Sequence, residues 1–277
     1  MFKRIGFVFL MLALSTVLMS GACKKRERGG DGDGDTKRAS KPAYQSKNDE
    51  GTITGVIKFE GDPPPVKKID MSADPNCLKA GGDTTSDDIV VNNGKLANVF
   101  VYLKGGPADR FQYDTPSEAA VLDQKGCRYD PRVLGLQTNQ TLRILNSDPT
   151  THNIHPTPRS NPEWNEAQTA GAPPKEKKFA KPETLIPVKC NQHPWMKSNI
   201  GVLDHPFYAV SAQDGTYTIK NVPPGEYTLV AWHEVKGEQS QKITVGAKES
   251  KTQDFTFSAA KAYAPTSLEV APALVLP

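Results

Sequence analysis

Cys190-Asn-Gln-His193-Pro-Trp-Met196 is the stretch on which the reading of this chain turns. It sets a thiolate, an imidazole and a thioether at intervals of three residues. Thr184-Leu-Ile-Pro-Val188, just before it, is short and apolar, as a strand is. So many ligand-type side chains behind a strand read as a tight loop at one end of a β-sheet. A mononuclear copper centre draws on these types, two imidazoles and a thiolate in a plane with a distant thioether. The second imidazole has a candidate in Thr151-His152-Asn153-Ile154-His155. That segment follows the alternating Leu142-Arg-Ile144-Leu and the turn Asn146-Ser-Asp-Pro149. Two loops at one end of a sandwich can converge in this way.

Outward from that loop the chain is patterned for strands. Ile53, Ile57 and Phe59 alternate with Thr54, Val56 and Lys58, and Leu96-Ala-Asn-Val-Phe-Val-Tyr-Leu103 is β-branched and aromatic. Further runs lie at residues 207–210, 217–220, 227–232, 242–245 and 254–257. Short strands punctuated by Pro63-Pro-Pro65, Asp214-Gly215 and Pro223-Pro-Gly225 predict an all-β fold, a Greek-key β-sandwich or barrel. Residues 155–182 hold six prolines and a basic run and read as a surface loop or edge excursion.

The N-terminus has a different character. Lys3 and Arg4 precede an apolar run from Ile5 to Met19, and Ser20-Gly21-Ala22 supplies small residues before Cys23. This is the pattern of a secretory signal peptide, residues 1–22. A cysteine directly after small residues also resembles a bacterial lipobox, which would make Cys23 a lipidated first residue, with Ser20 where a Leu is usual. Residues 24–50 contain no Ile, Leu, Val or Phe, so residues 23–50 are expected to be a disordered tether. Losing Lys3 and Arg4 with the signal takes the formal charge from +3 to +1. A near-neutral chain has no electrostatic case for binding nucleic acid.

The chain has four cysteines. With Cys23 assigned to lipid and Cys190 to metal, Cys77 and Cys127 remain. In an oxidising compartment such a pair reads as a disulfide, with two free buried thiols as the alternative.

Across residues 137–202 the chain resembles the cupredoxin (blue copper) family in its amicyanin- and plastocyanin-like branch. The frame Cys190, His193, Pro194, aromatic Trp195, Met196 carries the resemblance, with His152-Asn153-Ile-His155 upstream. It implies one type 1 copper held by His152, Cys190, His193 and Met196, with Asn153 bracing the two ligand loops. It also implies electron exchange through an exposed edge of His193, beside an apolar patch at Pro194 and Trp195. A second resemblance lies in Asp214-Gly-Thr-Tyr-Thr-Ile219 and Val222-Pro-Pro-Gly-Glu-Tyr-Thr-Leu229, with Gly51-Thr-Ile-Thr-Gly-Val56 and Leu96-Ala-Asn-Val99 as opening strands. These are similar to the carboxypeptidase regulatory-like, transthyretin-type sandwich. Exported methylamine-utilisation-like proteins show the same mixture. The expected division is a cupredoxin-like sandwich with an N-terminal extension at 51–202, a regulatory-like β segment at 203–258 and a loosely ordered tail at 259–277.

The expected function is a single-electron carrier and not an enzyme. It would work on the periplasmic side of a bacterial membrane, held by a lipid anchor and meeting redox protein partners transiently. A copper chaperone or sensor, and a metal-free scaffold or adhesion module, are the alternatives. Zinc would want more Cys or His and no Met. Multicopper chemistry would want several His-x-His pairs, and none occurs among five histidines. His155 is expected at the surface or behind the ligands. His205 and His233 are expected at strand ends, hydrogen-bonded to their acidic neighbours.

Overall fold

Alternation over Gly51–Glu60 buries Ile53, Ile57 and Phe59 and turns Lys58 and Glu60 outward. In the computed structural model, which describes residues 41–79 and 84–259, this strand is the spine of a first sandwich. It pairs antiparallel with Thr216–Val222 and Lys95–Leu96, and parallel with Ser250–Thr252 and Phe255–Ser258. The facing sheet runs Tyr208–Val210, Phe100–Lys104, Gly225–His233, Gly237–Val245. Ile53, Leu103, Tyr217, Leu229 and Phe255 are among the side chains packed between the two sheets. The signal segment, Cys23, the tether up to residue 40 and the tail beyond Ala259 lie outside the described residues.

The second sandwich is built from the middle of the chain. One sheet runs Glu166–Gln168, His152–Pro156, Glu183–Lys189, Lys197–Leu203, Val133–Gln137. The other runs Lys175–Lys177, Leu142–Asn146, Ala120–Gln124, Tyr129–Asp130. Leu122, Leu136, Leu142, Ile154, Ile186 and Ile200 fill the space between them. Most pairings are antiparallel; Ala120–Gln124 with Leu142–Asn146 and Val133–Gln137 with Lys197–Leu203 are parallel. The fold is all-β, as the alternation predicts, with short helices only at Pro75–Lys79 and Gly106–Arg110 among the described residues.

The sheets divide the chain differently from the expected boundary at 202 and 203. Gly51–Glu60 and Phe100–Lys104 pair with strands beyond residue 207, and Lys95–Leu96 pairs with Gly51–Glu60, so the second sandwich is inserted into the first. The run 96–103 is two strands, not one. Asn98 sits in the left-handed region (φ 60°) and breaks the extended backbone, so Lys95–Leu96 joins one sheet and Phe100–Lys104 the other. Residues 41–50 depart from the expected tether, because Tyr44 packs edge-on against Phe111 and tilted against Tyr113, and its hydroxyl donates to Glu50 at 2.6 Å. One aromatic ring, with a backbone bridge to Gln112, docks an otherwise polar segment.

A third apolar cluster joins the sandwiches. Phe100, Tyr102 and Val230 leave the first core on the opposite face of their strands and meet Val133 and Leu203. Gly135 and Gly201 stand directly across a strand pair. A Cβ on Gly201 would lie 2.5 Å from the Phe100 ring, and one on Gly135 would lie 2.3 Å from the Tyr208 ring. The missing side chains leave room for that ring layer.

Candidate metal centre

The pairing of Glu183–Lys189 with Lys197–Leu203 runs out to Lys189 opposite Lys197, so Cys190–Met196 closes a hairpin. Within it the Cys190 N–H donates to the Met196 carbonyl at 3.2 Å and the Met196 N–H donates to the His193 carbonyl at 2.9 Å. These bonds tie the loop back on itself and turn Cys190, His193 and Met196 inward, where all three are buried. His152 opens the neighbouring strand, His152–Pro156, and is fully buried. Strand alternation puts His155 on the opposite face. It is partly exposed there and bonded to Asn191 and Glu163.

The rings of His152 and His193 present their Nδ1 atoms to one another at 2.9 Å, and Cys190 Sγ lies 3.7 Å from His193 Nδ1. The three ligand atoms fall within 4.8 Å of one another. Donors bound to one ion at about 2.0–2.3 Å are at most about 4.6 Å apart, so the cluster has the span of a coordination site. Two ring nitrogens that face each other can share only one proton, and a cation in that place satisfies both. Met196 belongs to the same buried cluster as Cys190. Two imidazoles, a thiolate and a nearby thioether are a donor set that fits copper. The two other close groupings of metal-binding side chains, around Cys77 and around Cys127, each rely on a sulfur already in a disulfide.

Burial by itself would raise the Cys190 thiol. The hydrogen bond from His152 and the backbone N–H groups around the sulfur outweigh it and bring the group down to about 6. Burial would likewise lower His152, but the Asp148 carboxylate and the Cys190 sulfur raise it. Thiolate character is what a soft metal requires of a cysteine.

Each imidazole is backed by an acid through its other nitrogen. His152 Nε2–H donates to Asp148 at 2.9 Å, and His193 Nε2–H donates to Asp74 at 3.1 Å. Asp148 also accepts the N–H groups of Gly126 and Cys127, both at 2.7 Å. Such partners fix ring orientation and strengthen the ligand. Asn153 Oδ1 accepts the Asn191 N–H at 2.7 Å and lies 3.3 Å from Cys190 Sγ. Tyr129 donates its hydroxyl to the carbonyls of Asn153 and Lys189, on the same two strands. Cys77 and Cys127 are bonded to each other, closing a separation of 50 residues.

Sequence reasoning brings His152, Asn153, Cys190, His193 and Met196 to one place but misses Asp74, Asp148 and Tyr129. Asp148 was legible as the acid four residues before His152. Nothing in the local sequence marked Asp74 as a partner of His193. The His193 edge expected at the surface is instead covered: the residue is 4% exposed and its outer nitrogen is hydrogen-bonded to Asp74. Pro194 is exposed, and Trp195 is half-buried 5.2 Å from the His193 ring. His205 and His233 do not pair with their acidic neighbours. His205 Nδ1 accepts the Phe207 N–H and His233 Nδ1 the Val235 N–H, while Glu234 binds Arg132 and Asp204 meets Lys41 and Thr138.

A family model, polysaccharide lyase family 4, domain II, matches residues 195–253. It spans most of the stretch where the sequence is similar to the regulatory-like sandwich, and also Lys197–Leu203 of the inserted one. None of the curated proteins matches. Solved structures with partial likeness include amicyanin from Paracoccus versutus (TM-score 0.28, 18% identity, 32% of this chain and 85% of that one). A purple cupredoxin from Nitrosopumilus maritimus aligns with TM-score 0.26 and 19% identity over 30% of this chain and 97% of that one. A copper-containing nitrite reductase from Thermus scotoductus aligns with TM-score 0.28 and 18% identity over 36% of this chain and only 27% of its own length. Scores this low carry no weight for the chemistry, which rests on the four side chains of the site.

Proposed function

We propose that this chain is a type 1 (blue) copper protein that carries single electrons between redox partners and is not itself an enzyme. One observation carries the reading: two imidazole nitrogens and a cysteine sulfur with a lowered pKa converge below the surface, with Met196 in the same buried cluster as the cysteine. Copper would supply a one-electron couple. His152, Cys190 and His193 would hold it, with Met196 as the weak fourth ligand. The protein's part is to keep those ligands in place through both oxidation states. Asp148, Asn153, Tyr129 and the hairpin hydrogen bonds support that role by limiting movement at the site.

The partners we propose are redox proteins met in short encounters, for which a small contact area suffices. The exposed Pro194 and the half-buried Trp195 form the apolar part of the ligand loop's surface, beside the exposed Asn191 and Gln192. Attachment through a lipid on Cys23, on the periplasmic side of a bacterial membrane, completes the proposal.

The test is a visible absorption spectrum during titration with cupric ion. An intense thiolate-to-copper band that saturates at one equivalent and bleaches with ascorbate is the expected result. No band, with Cys190 reduced and free, would sink the reading.

A further inference from the structure

The two aspartates behind the ligand histidines are connected through one disulfide. Asp74 lies three residues before Cys77, and Cys77 is bonded to Cys127. The Cys127 N–H donates to Asp148, and its carbonyl accepts the Trp195 indole N–H at 3.1 Å. Asp74 Oδ2 takes two donors, the Thr150 hydroxyl at 2.8 Å and His193 Nε2–H at 3.1 Å. Its other oxygen accepts the Asn76 N–H, which fixes the start of the short helix Pro75–Lys79.

The segment carrying Asp74 is thinly attached. Met71 and Cys77 are buried, whereas Ser72, Ala73, Pro75, Asn76 and Leu78 are exposed. Among the described residues, what would remain without the disulfide is Met71 and Ile69 packed on the core, the backbone bond from the Ile69 N–H to the Thr84 carbonyl, and the hydrogen bonds of Asp74. A disulfide restricts the alternatives open to a loop, and here the loop is a cover on a ligand.

We propose that Asp74 is a positioning residue of the metal centre and that the Cys77–Cys127 bond keeps it seated on His193. The consequence has two parts. Mechanically, the cover closes the outer nitrogen of His193 to small reagents. Electrostatically, a carboxylate against the ligand imidazole favours the doubly charged cation over the singly charged one and so lowers the potential. The electrostatic part rests on the copper reading; the mechanical part does not.

The experiment uses the full chain with Asp74→Asn, Asp74→Ala and the double variant Cys77→Ser/Cys127→Ser. In the metal-free proteins, carbethoxylation of His193 by diethyl pyrocarbonate is followed by peptide mapping, with the partly exposed His155 as internal reference. His193 should react slowly in the unsubstituted chain and in Asp74→Asn, and at least tenfold faster in Asp74→Ala and the double variant. Equal rates in all four would overturn the cover. In the copper-loaded proteins, Asp74→Asn and Asp74→Ala should each shift the balance toward the reduced ion at least tenfold, about 59 mV. Unchanged potentials with the blue band intact would overturn the electrostatic role while leaving the copper reading standing. Absence of the band from the unsubstituted chain would overturn the copper reading, and the carbethoxylation rates would still decide the cover. Should the double variant fail to fold, Cys77→Ala/Cys127→Ala, which keeps both buried positions apolar, takes its place as the test of the disulfide, and Asp74→Ala decides the cover.

Discussion

Asn153 Oδ1 accepts the backbone N–H of Asn191 at 2.7 Å, so one side chain ties the strand that begins with His152 to the loop that begins with Cys190. The same amide donates to Asn165 at 2.6 Å, which fixes its orientation. Asn153→Ala should leave the Asn191 N–H without its partner. The expected loss is about 1–3 kcal/mol of stability in the metal-free protein, together with weaker copper retention. Urea unfolding and competition with a chelator measure the two effects. Unchanged values in both would remove Asn153 from the bracing role.

The ligands are expected to separate by chemistry. Cys190→Ser should abolish the intense visible band, since the band belongs to the thiolate. Met196→Gln should keep the band and move the potential, at a stability loss of about 1–3 kcal/mol from placing an amide in a fully buried site. A blue band that survives Cys190→Ser would mean that the site is wrongly assigned.

The junction between the sandwiches offers a test that leaves the metal alone. Gly201→Ala drives a methyl group to 2.5 Å from the Phe100 ring, and the ring is held between two packed layers. Overpacking of this kind is expected to lower stability by about 1–3 kcal/mol while the copper spectrum stays as it was. Adding Phe100→Leu should recover part of the loss. A neutral Gly201→Ala in thermal unfolding would show that the layers are free to separate.

His205 and His233 are buried in the first sandwich, and burial pushes both down to about 4 from an ordinary value near 6.5. The unfolded chain therefore binds more protons than the folded one between those values, and stability falls as pH drops through that window. The loss at pH 4 is up to about 3 kcal/mol for each histidine. His205→Gln and His233→Gln should flatten the profile between pH 6.5 and 4 when each is compared with the parent by urea unfolding. Parallel profiles would show that neither ring stays neutral in the fold.

What could be read along the chain was whatever is local. Alternation marked the strands around Ile53, Leu142, Ile186, Tyr217 and Tyr227, because a half-buried strand must repeat every two residues. Ala120–Gln124, Val133–Gln137 and Lys197–Leu203 escaped. The first alternates weakly, the second is interrupted by Gly135, and the third is buried on both faces. The ligand types and spacing from Cys190 to Met196 were legible for a similar reason: a tight hairpin holds residues close in space that are already close in sequence.

Of the partners of those ligands only Asp148, four residues before His152, was locally legible. Asp74 reaches His193 across 119 residues, and Val56 bonds Asp254 across 198. No local pattern encodes such pairs, since each exists only once its own sandwich has closed. By itself the sequence determined an all-β chain with a soft-metal donor set on adjoining loops. Tertiary structure alone decided that the second sandwich interrupts the first and that a disulfide-held aspartate covers the histidine expected at the surface. The physical reason is that periodicity dictates which face of a strand is buried, whereas long-range packing dictates what is buried against it.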